Sequence, residues 1–357
     1  MTLDLTPQTE AELAEGIRAA SGPLVVRGGG TRGGLRAGQG VSTAGLGGVR
    51  LYEPGALTLV AGAGTPIADL EALLATEGQC LAFEVPDLRR LLQRRGQSTL
   101  GGVIAENAAG PRRVVSGAAR DFCLGLRFVD GQGTVIRNGG RVMKNVTGYD
   151  LVKLLAGSRG QLGVLTEVAL KVLPRPETEQ TLVLRGLPDG QAVAAMSAAL
   201  GSPYEVTGAA HLPGAETLLR LEGFEGSVRY RAGQLAALLR PFGAVEMAET
   251  SPWAAIRDVL PLAGRAGDLW RISTRPSEAS ALVARLGAEA VVYDWGGALV
   301  WALMPPGADL RARAGAFCGH ARCLRGDASA GPVPLDPALA ALTAGLRQKF
   351  DPRGLFA

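Results

Sequence analysis

The sequence predicts an α+β protein built from two domains, and its length of 357 residues is sufficient for both. Between residues 97 and 174, glycines lie at the turns between apolar runs, a pattern typical of backbone that closely approaches a ligand. After residue 177, strand and helix patterns follow in the order β-α-β-β-α-β, which is the ferredoxin-like unit. The same order recurs less clearly once more, which indicates a weak internal duplication.

The first part of the chain is predicted to alternate helices and strands. Thr6 or Thr9 is expected to cap the first helix, which carries acidic residues in its first turn. Pro66 at the first helical position and Gly78 past the end are typical of the second helix. In chain order, the predicted elements are a helix over 7–20, a strand over 24–26, a strand over 57–64 and a helix over 65–78.

The two ferredoxin-like units follow after a shift in composition near residues 174–177. The first is predicted as strand 181–186, helix 189–200, strands 204–212 and 217–224, helix 227–240 and strand 244–249. The second is predicted as strand 269–274, helix 277–287, strands 290–295 and 298–304, helix 308–319 and a short final strand. We therefore expect a first domain over 1–176, with lobes of about 1–52 and 53–176, a second domain over 177–340, and a segment over 341–357 that returns to the first.

Charge and cysteine content exclude several classes of protein. The net charge is +4, but acidic and basic residues are interspersed, so no nucleic-acid partner is predicted. The four cysteines are scattered, and no apolar stretch reaches the roughly 18 residues of a membrane span. The N-terminus lacks a basic and then apolar leader. We expect a cytoplasmic protein without structural disulfides, while attachment to the inner face of the membrane through partners stays open.

Two glycine-rich segments predict a cofactor site. The first follows a strand directly, and consecutive glycines there form an anion-binding nest of N–H groups; it comprises Arg27, Gly28, Gly29, Gly30, Thr31, Arg32 and Gly33. Its spacing is neither G-x-G-x-x-G nor a P-loop, and alone it is equally compatible with a surface turn. The second segment, residues 101–110, is an almost unbroken run of small residues that favours backbone packed against a flat ligand. Two such segments in one domain favour a shared ligand.

Three stretches carry a resemblance to a known family: RGGGTRGG, LGGVIAENAAGPRRVVSGAARD and KNVTGYDLVKLLAGSRGQLGVLTEVALKVLPRP. The chain resembles the flavoprotein superfamily of vanillyl-alcohol oxidase and p-cresol methylhydroxylase. Within it, the last two stretches and the phrase DWGGALVW are similar to the FAD-binding subunits of glycolate oxidases. The resemblance implies a two-lobed FAD-binding domain and a ferredoxin-like cap that covers the isoalloxazine.

The resemblance also implies a role for particular residues toward FAD. The loop from Arg27 to Gly33 would cradle the pyrophosphate. The flavin and ribityl chain would be lined by Gly101, Gly102, Ala108 and Gly110, with Pro86 and Lys144 also near the flavin. The diphosphate and adenosine would be approached by Gly117, Asp121, Gly157, Gly160, Leu162, Gly163 and Val164. Neither glycine segment contains a His or Cys for covalent attachment, so FAD is predicted to be non-covalent.

The activity implied by the resemblance is the oxidation of glycolate, or a similar 2-hydroxy acid, to the 2-oxo acid by hydride transfer to the flavin. The implied partners are a larger FAD-linked glycolate oxidase subunit and an iron–sulfur subunit. Two alternatives stay open at this point. Besides the FAD-binding subunit of a glycolate oxidase complex, the chain is compatible with an independent FAD-dependent 2-hydroxy-acid dehydrogenase and with a non-catalytic subunit that relays electrons or serves assembly.

The sequence assigns no catalytic residue. Oxidation of a hydroxy acid requires a base for the hydroxyl proton and a cation for the carboxylate. The two histidines, His211 and His320, lie far apart in sequence, and a structural role is favoured for His211. Candidate cations for the carboxylate are Arg220, Arg271 and Arg275, each of which is equally compatible with a solvated strand edge. Cys318 and Cys323 lack the further ligands of a zinc or iron–sulfur site, so no metal is predicted.

Overall fold

The computed structural model describes residues 4–32, 37–141, 148–326 and 334–356. Thr9 is the N-cap of the first helix, and its hydroxyl accepts the backbone N–H of Glu12 at 3.2 Å. Up to residue 174 the helices are α1 Glu10–Ala19, α2 Ile67–Ala75, α3 Arg89–Leu92, α4 Leu100–Ala105, α5 Arg113–Ser116 and α6 Leu151–Leu155. The strands there are β1 Leu24–Arg27, β2 Gln39–Ser42, β3 Val49–Glu53, β4 Thr58–Gly62, β5 Gln79–Leu81, β6 Cys123–Val129, β7 Val135–Gly139 and β8 Val164–Pro174.

The N-terminal part is organised around β8, the longest of these strands. It pairs antiparallel with β4 and β6 and, near its end, with β5, while β3 and β7 form the edges of the six-stranded sheet. β1 and β2 form a separate parallel pair, and the N–H of Leu24 donates to the carbonyl of Leu355 at 2.8 Å. The end of the chain therefore returns to the beginning, where Leu355 and Phe356 pack with Leu13 and Ile17.

The remainder of the chain forms a second sheet of eight strands. Its strands are β9 Thr178–Arg185, β10 Gly208–Leu212, β11 Glu216–Gly223, β12 Val245–Met247, β13 Asp268–Thr274, β14 Ala290–Asp294, β15 Leu299–Met304 and β16 Gly319–Arg325. The helices are α7 Asp189–Leu200, α8 Glu225–Leu239, α9 Trp253–Arg257, α10 Pro276–Leu286, α11 Leu310–Ala314 and α12 Pro337–Phe350. We refer to residues 178–326 as the cap.

The strand order of the cap is β12-β9-β11-β10-β14-β15-β13-β16. Each half has the ferredoxin-like order, and the two halves meet as mirror-ordered repeats where β10 pairs with β14, at His211 and Tyr293. The duplication that the sequence indicates is thus present in the sheet, and the α+β fold class is confirmed. Because side chains alternate along a strand, one face of this sheet packs on α7, α8 and α10, while the other face looks toward the N-terminal part.

Two buried ion pairs join the cap to the N-terminal part. Arg220 of β11 donates to Glu84 at 2.8 Å, and Arg112 donates to Glu222 of β11 at 2.5 Å. Arg220 is only 1% exposed, and its guanidinium also lies over the ring of Trp253. These contacts fix the face of the cap sheet against the N-terminal part.

Two predicted helices differ from the structure at their ends. The helix expected over 65–78 begins only at Ile67, because Pro66 is extended and bridges to Thr99 while the N–H of Ile67 donates to the carbonyl of Ser98. The helix expected over 308–319 is shortened to α11, because Gly315 takes φ +62° and β16 begins four residues later. The strand expected over 204–212 begins at Gly208.

The described residues contain no helix long and apolar enough to cross a membrane. α12 has no buried residue, and three exposed leucines lie along it: Leu339, Leu342 and Leu346. Leu335, which is also exposed, lies just before the helix. The predicted limits of the domains and lobes stay predictions.

Candidate active site

The glycine loop after β1 lines a cavity of about 330 Å³. Several of the residues predicted for the cofactor share this cavity: Arg27, Gly28, Gly29, Gly30, Thr31, Arg32, Gly101, Gly102, Gly160 and Gly163. They come from the end of β1, the start of α4 and the turn before β8, so three separate stretches of sequence meet here. The structure therefore brings together the two glycine segments that the sequence singled out.

Glycine is required in this loop because the backbone of Gln97 and the side chain of Thr99 lie against it. A Cβ on Gly29 would lie 1.4 Å from the carbonyl oxygen of Gln97, and one on Gly28 would lie 2.2 Å from the hydroxyl of Thr99. Gly30 takes φ +68° and faces open space. The loop thus combines close backbone packing on one side with an open side toward the cavity.

Two buried polar groups that line this cavity have no hydrogen-bond partner in the described part of the chain. They are the Nε of Arg32 and the hydroxyl of Thr99. Buried donors are normally satisfied, so unpaired ones at a cavity indicate a polar ligand. The guanidinium and hydroxyl beside an open glycine loop fit the oxygens of a pyrophosphate, which is the group that FAD would place there.

A second cavity of about 460 Å³ adjoins the first. Four residues line both cavities: Arg32, Glu106, Arg159 and Arg322. Three further predicted cofactor residues lie in the second cavity, namely Pro86, Ala108 and Gly157. Its remaining wall is the cap, because Arg271, Trp295 and Trp301 also line it. One continuous site therefore runs from the glycine loop to the face of the cap sheet.

Five other predicted cofactor residues, all within the described part of the chain, line neither cavity. Asp121 accepts the N–H of Ala118 at 2.8 Å and packs on Gly117, where a Cβ would lie 2.6 Å from its carboxylate. Leu162 and Val164 are buried in apolar cores. Gly110 packs on Glu84, and its carbonyl accepts a hydrogen bond from the indole N–H of Trp295 in the cap. Gly33 and Lys144 lie outside the described residues, and roles for all of these residues toward FAD stay predictions.

The second cavity is strongly cationic. Its arginines are Arg32, Arg113, Arg120, Arg159, Arg271 and Arg322, and His320 joins them. Glu106 is an acidic residue that lines the same cavity. Its carboxylate accepts a hydrogen bond from Arg322 at 3.0 Å and lies 3.8 Å from Arg159. Burial raises the pKa of Glu106, but the cations outweigh it and the pKa is lowered overall, so Glu106 is ionised. One carboxylate does not neutralise this wall.

Arg271 is one of the cations in this wall that form no ion pair with a carboxylate of the described residues, whereas Arg159 and Arg322 pair with Glu106. Within the described residues its guanidinium makes no ion pair or hydrogen bond, and it lies over the rings of Trp295 at 5.2 Å and Trp301 at 5.9 Å. Burial, together with the charges of Arg113 and Arg322, lowers the pKa of Arg271 to about 10. A charge held in this way is stabilised when an anion enters the cavity.

The sequence did not identify His320 as part of the site. It lies on β16 opposite Ser273 of β13, in the same cavity as Arg271. Burial and the charges of Arg271 and Arg159 lower its pKa, so the imidazole is neutral at neutral pH. The signal available in the sequence was the alternation along the strand, which places His320 and Arg322 on one face.

Two of the three arginines that the sequence offers as cations for the substrate carboxylate lie outside the cavities. Arg220 is committed to Glu84 and Glu222 at the joint between the cap and the N-terminal part, and it lines neither cavity. Arg275 is exposed and lies 3.7 Å from Glu278. Of the three arginines, only Arg271 reaches the site.

His211 and three of the four cysteines line neither cavity, whereas Cys323 lines the second one. His211 is fully buried on β10, with its ring nitrogens 2.9 Å from Thr217 and 3.4 Å from Asp189. Burial lowers the pKa of His211, as expected for a neutral structural histidine. The four cysteines are free thiols. Among the residues that the structure describes, no three His, Cys, Asp or Glu side chains gather as a metal site.

Comparisons with known proteins agree with this geometry. Residues 2–139 match the FAD binding domain family. The chain is 39% identical over 316 residues to glycolate oxidase subunit GlcE of Escherichia coli (strain K12), which covers 87% of this chain and 83% of that protein. The chain belongs to the family of glycolate oxidase subunit GlcE. The predicted FAD cofactor and the predicted superfamily are confirmed.

This GlcE-family chain is also similar to a second glycolate oxidase subunit in sequence and to a solved structure in fold. Glycolate oxidase subunit GlcD of Bacillus subtilis (strain 168) is 48% identical over 86 residues, which are 24% of this chain and 18% of that protein. A solved alkyldihydroxyacetonephosphate synthase superposes with a TM-score of 0.73 at 16% identity, covering 98% of this chain and 76% of its own. This likeness shows a shared fold over nearly the whole GlcE-family chain, cap included.

Proposed function

We propose that this chain is the FAD-binding subunit of a glycolate oxidase and that it oxidises glycolate, or a similar small 2-hydroxy acid, to the 2-oxo acid. The observation that carries the proposal is the guanidinium of Arg271, which forms no ion pair or hydrogen bond within the described residues and lies in a cavity that adjoins the glycine-lined one. A 2-hydroxy acid brings the carboxylate that such a cation binds. The relationship to GlcE supports the same substrate class.

FAD would be held non-covalently, with its pyrophosphate between the glycine loop, Arg32 and the hydroxyl of Thr99. Residues 27–32 and 97–110 contain no His or Cys that could attach it covalently. When bound, FAD supplies the acceptor for the hydride that leaves the carbon bearing the hydroxyl. Arg271 would bind the substrate carboxylate and so fix the orientation of that carbon.

His320 would accept the proton of the substrate hydroxyl. Its lowered pKa keeps the imidazole in the neutral form that can accept a proton at neutral pH. Cationic neighbours also favour the alkoxide that develops as the proton leaves, because they stabilise its negative charge. The proton acceptor His320 and the carboxylate-binding Arg271 thus come from the neighbouring strands β16 and β13.

We also propose that the chain works in the cytoplasm with a larger FAD-linked subunit and an iron–sulfur subunit, peripheral to the membrane through them. Relatives named as two different subunits of glycolate oxidase support an assembly of several chains. The exposed leucines of α12 supply an apolar surface for such a contact. Co-expression with the two companion subunits, followed by affinity capture through this chain, tests the proposal; recovery of this chain alone would contradict it.

The decisive experiment is a visible spectrum of the purified chain, followed by anaerobic addition of glycolate. We expect the purified chain to show the visible absorbance of a flavin. Acid precipitation should release this flavin into the supernatant, and glycolate should decrease its absorbance by reducing it. Arg271→Met should retain flavin, yet its KM should rise about ten- to a hundredfold, because a hydrogen-bonded charge contributes about 1.5–3 kcal/mol. Arg275→Met, on the exposed arginine, is the matched control and should match the wild type. A bound flavin that glycolate leaves oxidised would contradict catalysis by this chain and favour a relay subunit.

A further inference from the structure

Trp295 occupies the point where the cap meets the N-terminal part, in a backbone conformation that bulky residues rarely adopt. Its φ is +53°, in the left-handed region. The carboxylate of Asp294 accepts the N–H of Trp295 at 2.7 Å and so holds the turn. Such conformations persist where the surroundings over-determine them, and they cluster at functional sites. The left-handed turn therefore indicates that the contacts of the indole have a function.

The indole of Trp295 joins both parts of the molecule. Its ring N–H donates to the carbonyl of Gly110 at 3.0 Å, and the guanidinium of Arg113 lies 4.8 Å from its centroid. Gly110 and Arg113 belong to the N-terminal part. Arg271 of the cap lies 5.2 Å from the same ring. One side chain thus contacts two like-charged guanidinium groups that come from opposite walls of the cavity.

We propose that Trp295 is the positioning residue of the anion site, holding Arg271 against the repulsion of Arg113 and Arg322 while leaving its charge available to a carboxylate. The proposal rests on the proposed function, because it takes the ligand of Arg271 to be the carboxylate of a 2-hydroxy acid. Trp295 acts through Arg271 and does not itself exchange a proton or an electron with substrate.

An aromatic face suits this role better than a carboxylate would. A carboxylate beside Arg271 would neutralise it, as Glu84 neutralises Arg220, and would compete with the substrate. The negative face of an indole attracts the cation through its quadrupole and leaves the N–H edge of the guanidinium free. Trp301 offers a second ring at 5.9 Å, so Arg271 is held by aromatic rings from β15 and from the turn before it.

The test measures binding of oxalate, a non-oxidisable analogue of glycolate, to the flavin-loaded full chain by titration calorimetry. We expect Trp295→Leu to raise the Kd for oxalate about tenfold, since a desolvated cation–π contact is lost, and Trp295→Phe to raise it only about threefold. The KM for glycolate should rise in parallel while kcat changes by less than about twofold, as for lost uniform binding. Trp270→Phe is the matched control, because Trp270 packs in the core on the opposite face of β13.

The outcomes separate this proposal from the proposed function. Oxalate binding by Trp295→Leu that equals the wild type, while Arg271→Met loses binding, would overturn the role of Trp295 and leave the anion site intact. Undiminished binding by Arg271→Met would instead overturn the anion site itself. Should Trp295→Leu fail to fold, tryptophan fluorescence decides: saturation with oxalate should change the emission of the wild type and of Trp270→Phe more than that of Trp295→Phe. An equal change in all three would overturn the proposal.

Discussion

At the scale of single residues, the state of each charge depends on which partner it meets. Arg220 and Arg271 both lie on cap strands, yet Arg220 is neutralised by Glu84 and Arg271 meets only aromatic rings among the described residues. The two histidines differ in the same way, since His211 is enclosed by Thr217 and Asp189 while His320 lines the cationic cavity. Residue type alone therefore does not distinguish a structural group from a reactive one.

His320→Gln tests the proton acceptor. Loss of a general base should lower kcat roughly 100- to 10,000-fold, because glutamine cannot take up the hydroxyl proton. In the wild type, the rate should fall as the pH drops through the lowered pKa of His320, below its ordinary value of 6.5, since only the neutral ring accepts a proton. The measurement is a pH profile of kcat/KM for glycolate. An acidic limb that persists unchanged in the variant would assign that limb to another group.

At the scale of elements, local sequence signals predicted most helices and strands, because caps, turns and apolar alternation act over a few residues. α7 spans the predicted helix over 189–200, and Thr9 caps α1 as one of two expected residues. The misplaced helix ends have tertiary causes, as at Pro66, where pairing with Thr99 keeps the backbone extended. The role of the glycine loop was predicted directly from its sequence, because close packing on one side and an open side toward the cavity both require glycine.

Gly29→Ala tests the loop. The added Cβ would lie 1.4 Å from the carbonyl of Gln97, so the loop must move away from residues 97–99. We expect the variant to fold but to lose most of its flavin, measured as the ratio of visible to 280 nm absorbance after gel filtration. Gly226→Ala on α8 is the control, because nothing lies within 4 Å of its Cβ position. Full flavin content in Gly29→Ala would show that the cofactor does not depend on this loop.

At the scale of the whole molecule, the site exists only because the cap is joined to the N-terminal part. The joint is made by charged pairs from residues far apart in the chain, with Arg220 and Glu84 separated by 136 positions. Charge pairs of this kind are costly to break, since removing one partner leaves the other buried without compensation. The same joint holds Trp295 near Gly110, so that cap residues form one wall of the cationic cavity.

Glu84→Gln tests the joint. Glutamine keeps the volume of the side chain but removes the charge, so the nearly fully buried Arg220 keeps only its longer ion pairs, with Glu222 at 3.4 Å and Glu179 at 4.0 Å. We expect the free energy of unfolding in urea to fall by about 2–3 kcal/mol. Glu246→Gln, at an exposed pair with Arg185, should change it by less than about 0.5 kcal/mol. Equal effects of the two substitutions would show that the joint does not depend on this pair.

The sequence by itself determined the fold class, the duplicated cap and the FAD cofactor, because glycine turns, strand alternation and family motifs are written in contiguous residues. Only the tertiary structure decided which residues share the site. Arg271, Trp295 and His320 meet because β13, β15 and β16 are neighbours in one sheet and turn the same face toward the glycine loop. Strand pairing between distant segments sets that arrangement, and it leaves Arg271 without a counter-charge among the described residues where Arg220 has one.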